Sequence, residues 1–213
     1  MTHLNIISQN PESTLVSEFK RDDKRERSYQ SEAALEAAFI RQLQEQGYEY
    51  LPIVDEKSLI ANLRSQLERL NDFKFSDSEW DLFFKMVLAN QNDGIVEKTN
   101  TIQNDSVKVL SLLDGGKDGV NFRNIKLIDK DDIHRNSLQV INQYVVENGA
   151  RSNRYDVTIL VNGLPLVHVE LKRRGVDLKE AFNQINRYQR DSFWAGSGLF
   201  EYVQLFVISN GTF

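Results

Sequence analysis

Apolar residues at helical spacing mark three segments in the first half of the chain. From Ser31 to Gln46, Leu35, Ala38, Phe39 and Leu43 recur every three to four positions, Ser31 can cap the start, and Gly47 stands where a helix-ending glycine belongs. Leu59, Leu63, Leu67 and Leu70 predict a second helix from about Ser58 to Leu70. A third opens with the capping box Ser76-Asp-Ser-Glu79 and carries Trp80, Phe83, Phe84, Val87 and Leu88 on its apolar stripe. Residues 1–30 are polar and charge-rich, with KRDDKRER at 20–27, and read as an arm or a short edge strand around Ser13 to Phe19.

After Asn90 the pattern changes. Asn-Asp-Gly and Asp114-Gly-Gly-Lys-Asp-Gly119 punctuate short β-rich runs, Val107 to Leu113 and Ile125 to Ile128, so strands joined by turns are expected. Three stronger strands follow, Ser137 to Val146, Arg154 to Val161 and Leu166 to Lys172. Asp177 with Glu180 then caps a helix with Leu178, Ala181, Phe182, Ile185 and Tyr188 on its apolar face. Tyr202 to Ser209 is a last apolar strand, short enough to lie buried in the middle of a sheet. Helices, three strands, a helix and a strand predict a mixed α/β sheet flanked by helices, with extra helices at the N-terminal side.

Successive residues of a strand point to opposite faces. Val157, Ile159, Val161, Val167, Val169 and Leu171 therefore form an aliphatic face. Asp156, Thr158 and Leu160 on one strand, with Leu166, His168, Glu170 and Lys172 on the other, form the opposite face. For the aliphatic faces to coincide, Val157 must lie opposite Val169 or a residue of the same parity. A strict two-residue Asn162-Gly163 turn breaks that parity. The hairpin must therefore contain a three- or five-residue loop, or a bulge, around Asn162 to Pro165; Pro165, lacking an N–H, suits an irregular position.

Two acids and a lysine on one side suggest chemistry. Mg²⁺ takes hard oxygen ligands and keeps several waters, so the Asp156 and Glu170 carboxylates leave room for a phosphate and a nucleophilic water. Lys172, two residues beyond Glu170, is placed to orient that water and to neutralise charge developing on the phosphate. The bland alternative is a surface charge pair, among the commonest features of a half-exposed sheet. Against it, the acid and lysine end a strongly aliphatic strand that reads as central, where an unpaired charge is costly without a role. His168 shares this face, but a lone histidine is more often a packed residue than a ligand.

Composition narrows the classes. At 213 residues, 40% hydrophobic and 27% charged, the chain suits one substantial core, and the absence of cysteine excludes disulfides and thiolate metal sites. The start, MTHLNIISQNPE, lacks the basic and apolar regions of a secretory signal, and no apolar run approaches the roughly 18 residues needed to cross a bilayer. A cytoplasmic protein is expected, with no membrane partner. The net charge of −5 argues mildly against a dedicated nucleic-acid-binding module, yet Pro165 to Arg190 carries six basic and three acidic residues, a local excess that can track a phosphate backbone. A solvated helix face explains that excess equally well on charge alone.

With these pieces in place, the sequence resembles the N-terminal endonuclease domain of the restriction (R, motor) subunit of type I restriction-modification enzymes, in the PD-(D/E)xK nuclease superfamily. The matching stretches are YQSEAALEAAFIRQLQEQGYEY (Tyr29 to Tyr50), RYDVTILVNGLPLVHVELKRRG (Arg154 to Gly175), AFNQINRYQR (Ala181 to Arg190) and LFVISNGTF. Residues 51–127 match by pattern only. The resemblance implies a restriction-endonuclease-like fold over 31–213, with Asp156 and Glu170 as metal-binding carboxylates and Lys172 as the catalytic lysine. Glu36 corresponds to a first-helix glutamate that helps position the metal in related nucleases, with Glu32 on a neighbouring face left open. Gln184 and Tyr188 match a Q-x-x-x-Y motif and, sharing one helix face, would contact DNA or support the site; for Tyr188 a core position with a polar tip is the favoured reading. Arg187 and Arg174 are the candidate basic contacts; Arg173 and Arg174 alternate in direction, so at most one reaches DNA beside the site.

The implied activity is Mg²⁺-dependent hydrolysis of double-stranded DNA, as the cutting module of a complex with modification and specificity subunits. Full R subunits continue into an ATP-driven translocase. Here G-x-x-x-x-G-K-[ST] is absent, so ATP binding is not expected, and the end after VISNGTF reads as a domain cut from a longer chain whose motor domains would be partners. The rival readings are a stand-alone repair or junction-processing nuclease of the same superfamily, and a non-catalytic DNA-binding or docking module with that fold. Residue chemistry alone stops at a metal-assisted phosphate site; the resemblance supplies the DNA.

Overall fold

The computed structural model describes residues 5–9, 14–17, 31–112, 121–148, 151–173 and 178–210. The strand read near residues 13–19 is β2 (Thr14–Ser17), paired antiparallel with β1 (Asn5–Gln9) in a two-stranded sheet separate from the central one. The Ser31 hydroxyl accepts from the Ala34 amide and opens α1 (Glu32–Glu45), and Gly47 follows with φ +92°. A two-residue strand, β3 (Glu49–Tyr50), comes next. Asp55, not singled out in the sequence, caps α2 (Glu56–Asn71) through the Ser58 amide. The capping box of Ser76 and Glu79 opens α3 (Asp77–Phe83), which runs into a π-helical turn at Phe84–Leu88.

The region after Asn90 needs correction. It contains α4 (Ile95–Gln103) where only strands and turns were expected. Ile95, Val96, Thr99 and Thr101 are weak helix formers, so local propensity hides the helix; tertiary contacts that bury Lys98, Thr101 and Ile102 stabilise it instead. The first weak run is β4 (Val107–Ser111), whereas the second, read as Ile125 to Ile128, overlaps only the end of β5 (Phe122–Lys126); among the described residues these two strands pair with each other in a sheet of their own. The Asp114 to Gly119 turn, the KRDDKRER charges and the Asp177 cap lie outside the described residues.

The central sheet has the order β3, β6 (Leu138–Asn148), β7 (Arg151–Val161), β8 (Leu164–Leu171) and β9 (Leu205–Ser209). β3 runs parallel to β6, β6 to β8 form an antiparallel meander, and β9 returns parallel to β8 after α5 (Leu178–Asp191). This is the mixed sheet flanked by helices that the pattern predicts. β9 lies at an edge of the sheet, however, and not in its middle. Its apolar run reflects partial cover on both faces: Val207 packs toward α1 and Phe206 toward the opposite layer, while Leu205 is exposed.

Two-sided cover also revises the picture of the core. The aliphatic face, Val140, Val157, Val169 and Leu171 with Ile159 and Val167, packs against Ile40 and Leu43 of α1. The larger core lies on the other side, where α2, α3, Tyr188 and a short 3₁₀ segment (Leu199–Tyr202) enclose Tyr144, Tyr155, Leu160, Leu164, Leu166 and Phe193. Val161 joins that larger cluster and not the α1 layer. Among the described residues no helix is long and apolar enough to cross a membrane.

The β7–β8 hairpin resolves the parity conflict with a bulge. Asn162 (φ +51°) and Gly163 (φ +83°) form a two-residue turn between the partners Val161 and Leu164, while Val157, Thr158 and Ile159 face Val169, His168 and Val167. The ladder shifts between Ile159 and Leu160, and Leu166 is the extra residue that restores the even register. Gly163 is fixed for a second reason. A Cβ there would lie 2.6 Å from Cα and 3.0 Å from N of Leu63 in α2, so helix backbone itself would have to move. Gly163→Ala is therefore expected to destabilise the fold by about 2 kcal/mol or more, read as a lower urea midpoint at unchanged slope.

Candidate active site

The candidate residues meet where the β7–β8 ladder ends. The last pair is Val157 with Val169; beyond it the strands separate, and Glu170 and Leu171 continue their pairing only with Ile208 and Ser209 of β9. The Asp156 carboxylate fills the gap, its Oδ2 accepting from the Leu171 amide at 2.9 Å. Lys172 donates to Glu170 Oε1 at 2.8 Å, and its own backbone amide is tied to the Ser209 carbonyl at 2.8 Å. Asp156, Glu170 and Lys172 are thus brought together. Glu170 is wholly buried, whereas Asp156 and Lys172 are half-buried.

Their route to this point differs from simple alternation. The β6–β7 ladder pairs Asn142 with Val157 and Tyr144 with Tyr155, but leaves Gln143 and Asp156 unpaired, and Gln143 has φ +54°. Alternation breaks there: Val157 packs toward α1, yet Tyr155, two residues earlier, sits in the opposite core. Asp156 consequently does not share a face with Thr158, as alternation predicts. It lines a cavity of about 680 Å³ with Glu32, Glu36, Ile40, Asn142, Gln143 and Arg154.

This break also explains how Glu36 is held. Asn142 and Gln143, successive residues that would normally diverge, both donate to it, one to each carboxylate oxygen. Tyr50 in turn donates to Asn142 Oδ1 at 2.9 Å. A non-glycine residue in the left-handed region next to the candidate site is the kind of local strain that functional sites retain. Neither amide was visible in the sequence; Gln143 sits in an ordinary strand pattern. Glu32 lies close as well, accepting from the Arg173 amide at 3.2 Å, so geometry keeps both first-helix glutamates beside the site.

The electrostatics are those of crowded negative charge. Burial, followed by the neighbouring Glu170 charge, pushes the Asp156 carboxyl up to about 6 despite the Leu171 amide that favours its ionised form. Burial works against the Lys172 ammonium, but Glu170 and then Asp156 outweigh it and hold the lysine above its usual range. Glu170 Oε2 is buried with no hydrogen-bond partner among the described residues.

Gln184 and Tyr188 lie one turn apart on α5, and the amide donates to the phenol oxygen while the phenol donates to the Arg154 carbonyl at 3.1 Å. Tyr188 is buried in the aromatic cluster, a core residue with a polar tip that ties α5 to the start of the Asp156 strand. Arg187 is exposed, its guanidinium 5.7 Å from the Tyr188 ring centre, and Arg173 is exposed too. Arg174 lies outside the described residues.

No group of three or more His, Cys, Asp or Glu among the described residues is arranged to hold a metal ion. Two carboxylates suffice for Mg²⁺, which retains several waters. Asp156 and Glu170 fit that need, since one is destabilised by burial and by its neighbour's charge and the other has a buried oxygen without a hydrogen-bond partner among the described residues.

Comparison with known proteins gives a consistent set of relatives. A family model described as the type I restriction enzyme R protein N terminus matches residues 29–213. The chain is 46% identical over 207 residues to the type I restriction enzyme EcoprrI endonuclease subunit of Escherichia coli, covering 97% of this chain and 64% of that one. It is 39% identical over 188 residues to the type I restriction enzyme SsaAORF53P endonuclease subunit of Staphylococcus saprophyticus, covering 86% of this chain and 19% of that one. A putative type I restriction enzyme endonuclease subunit of Methanocaldococcus jannaschii, MjaVIIIP, is 35% identical over 103 residues, 47% of this chain and 10% of its own length. The chain thus spans less than two thirds of these relatives.

Proposed function

The chain belongs to the family of type I restriction enzyme R protein N termini, and from that premise we propose that it is the DNA-cutting module of a restriction system, hydrolysing phosphodiester bonds of double-stranded DNA with Mg²⁺. The observation that carries this reading is the meeting of Asp156, Glu170 and Lys172 at the point where β7 and β8 part. Asp156 and Glu170 would hold the ion, with Glu36 or Glu32 at the rim. When bound, Mg²⁺ supplies charge neutralisation at the phosphate and lowers the pKa of its water. Lys172, kept protonated by Glu170 and Asp156, has a donor to offer a phosphoryl oxygen or to orient the attacking water. Gln184 and Tyr188 brace the Asp156 strand, and exposed Arg187, with Arg174, would add backbone contacts to DNA. The modification and specificity subunits, and motor domains in a longer chain, would deliver the substrate in the cytoplasm; the ATP that the motor uses would not bind here.

The test is plasmid cleavage by the full complex carrying Lys172→Ala, with protection of the fold checked by circular dichroism. Cleavage should fall at least about 100-fold. Undiminished cutting would sink the catalytic assignment and leave the non-catalytic docking module as the better reading.

A further inference from the structure

His168 is wholly buried, and neither ring nitrogen has a hydrogen-bond partner among the described residues. Its ring is packed on all sides by aromatics: Tyr155, Phe193, Tyr188 and Phe206 have ring centres 5.2, 5.9, 6.0 and 6.4 Å away. A phenylalanine or leucine would fill this place without the 1–3 kcal/mol cost, in order of magnitude, of each unsatisfied polar group. Packing therefore gives no reason for imidazole. A polar group that it approaches is catalytic in the reading above: Nε2 lies 3.5 Å from Glu170 Oε2, itself buried without a hydrogen-bond partner among the described residues. Thr158, its cross-strand neighbour, has a hydroxyl equally without a partner among the described residues.

Resting on the reading of Asp156 and Glu170 as metal ligands, we propose that His168 is a positioning residue for Glu170. With its proton on Nε2, the neutral ring donates to one lone pair of Oε2, a bond completed by closing a few tenths of an ångström. Lys172 holds Oε1 from the front and His168 holds Oε2 from behind. A carboxylate has about four lone-pair sites, so the remaining one on Oε2 stays free for a cation. The aromatic wall fixes the ring, and the ring fixes the angle at which the carboxylate meets the ion. Such outer partners of metal ligands are worth about 10- to 100-fold in affinity when removed.

The experiment is Mn²⁺ titration calorimetry on the chain, comparing His168→Phe, His168→Met and His168→Gln with the parent and with Asp156→Ala. His168→Phe should stay folded, shown by a cooperative melting transition, yet bind Mn²⁺ about 10- to 100-fold more weakly. Gln, whose amide can donate to Glu170, should recover part of that loss. Should Phe fail to fit, Met, flexible and unable to donate, makes the same comparison. Mn²⁺ affinity within twofold of the parent in the folded non-donor variants overturns the role of His168, provided that Asp156→Ala abolishes binding. If the parent does not bind Mn²⁺, or Asp156→Ala binds it as well as the parent, the metal-site reading falls and takes the proposal with it.

Discussion

Asp156→Asn should cost about 10⁴-fold in DNA cleavage by the full complex while making the metal-free chain more heat-stable at neutral pH. The loss follows from removing one of two carboxylates proposed to hold the ion, whose charge neutralisation amounts to several kcal/mol of barrier. The gain follows from the folded-state electrostatics. Burial and Glu170 raise the Asp156 carboxyl to about 6, above its value of roughly 3.9 in an unfolded chain. A raised acid favours the fold only when protonated, so the parent loses stability as pH climbs from about 4 through about 6, and carries the full penalty above that. Asparagine keeps an oxygen for the Leu171 amide but has no charge to bury. Melting curves in EDTA should therefore show the variant several degrees higher at pH 7.5 and level with the parent at pH 4. Added Mg²⁺ should raise the parent and not the variant. A variant that melts lower at pH 7.5 would show that the Asp156 charge is already compensated in the fold.

The second large effect concerns the helix that the sequence conceals. Lys98 of α4 is 3% exposed, and its ammonium donates to Glu201 Oε2 at 2.6 Å and to the Gly198 carbonyl at 2.9 Å, 5.7 Å from the Tyr202 ring centre. Glu201→Ala strands that ammonium in the core and is expected to cost about 3–5 kcal/mol. Replacing both partners, Lys98→Met with Glu201→Leu, should restore most of the loss, because the pair's attraction is largely spent on its own desolvation. Urea unfolding of Lys98→Met, Glu201→Leu and the double variant gives the coupling. A double variant as unstable as Glu201→Ala would mean that the pair contributes beyond its mutual neutralisation.

Much of the frame was legible because local signals and tertiary needs agree. Ser31, Ser76 and Glu79 cap helices where the leucine and aromatic stripes say helices should be, and the alternation of β7 and β8 was clear enough to exclude a plain two-residue hairpin, leaving a longer loop or a bulge. Disagreement between levels accounts for the failures. α4 is built of residues with weak helix propensity and is held by a buried ion pair more than 100 positions away. β9 looks central because both its faces are partly covered, and coverage cannot be told from position in the sheet by hydropathy. The same two-sided cover hid the depth of Glu170 and His168. The first-helix clamp on Glu36 depends on a backbone reversal at Gln143 that no side-chain pattern announces.

The extra residue at Leu166 sets a rule for how this hairpin can vary in length. Deleting one residue between Val161 and Val169 while keeping the bulge would turn β8 over, sending Glu170 and Lys172 into the valine layer against α1 and Val169 and Leu171 into the aromatic one. Homologous chains that keep both carboxylates at the parting of the strands should therefore show separations between them that differ by even numbers, and any odd difference should coincide with a bulge gained or lost. Spacing in this motif is inherited in steps of two.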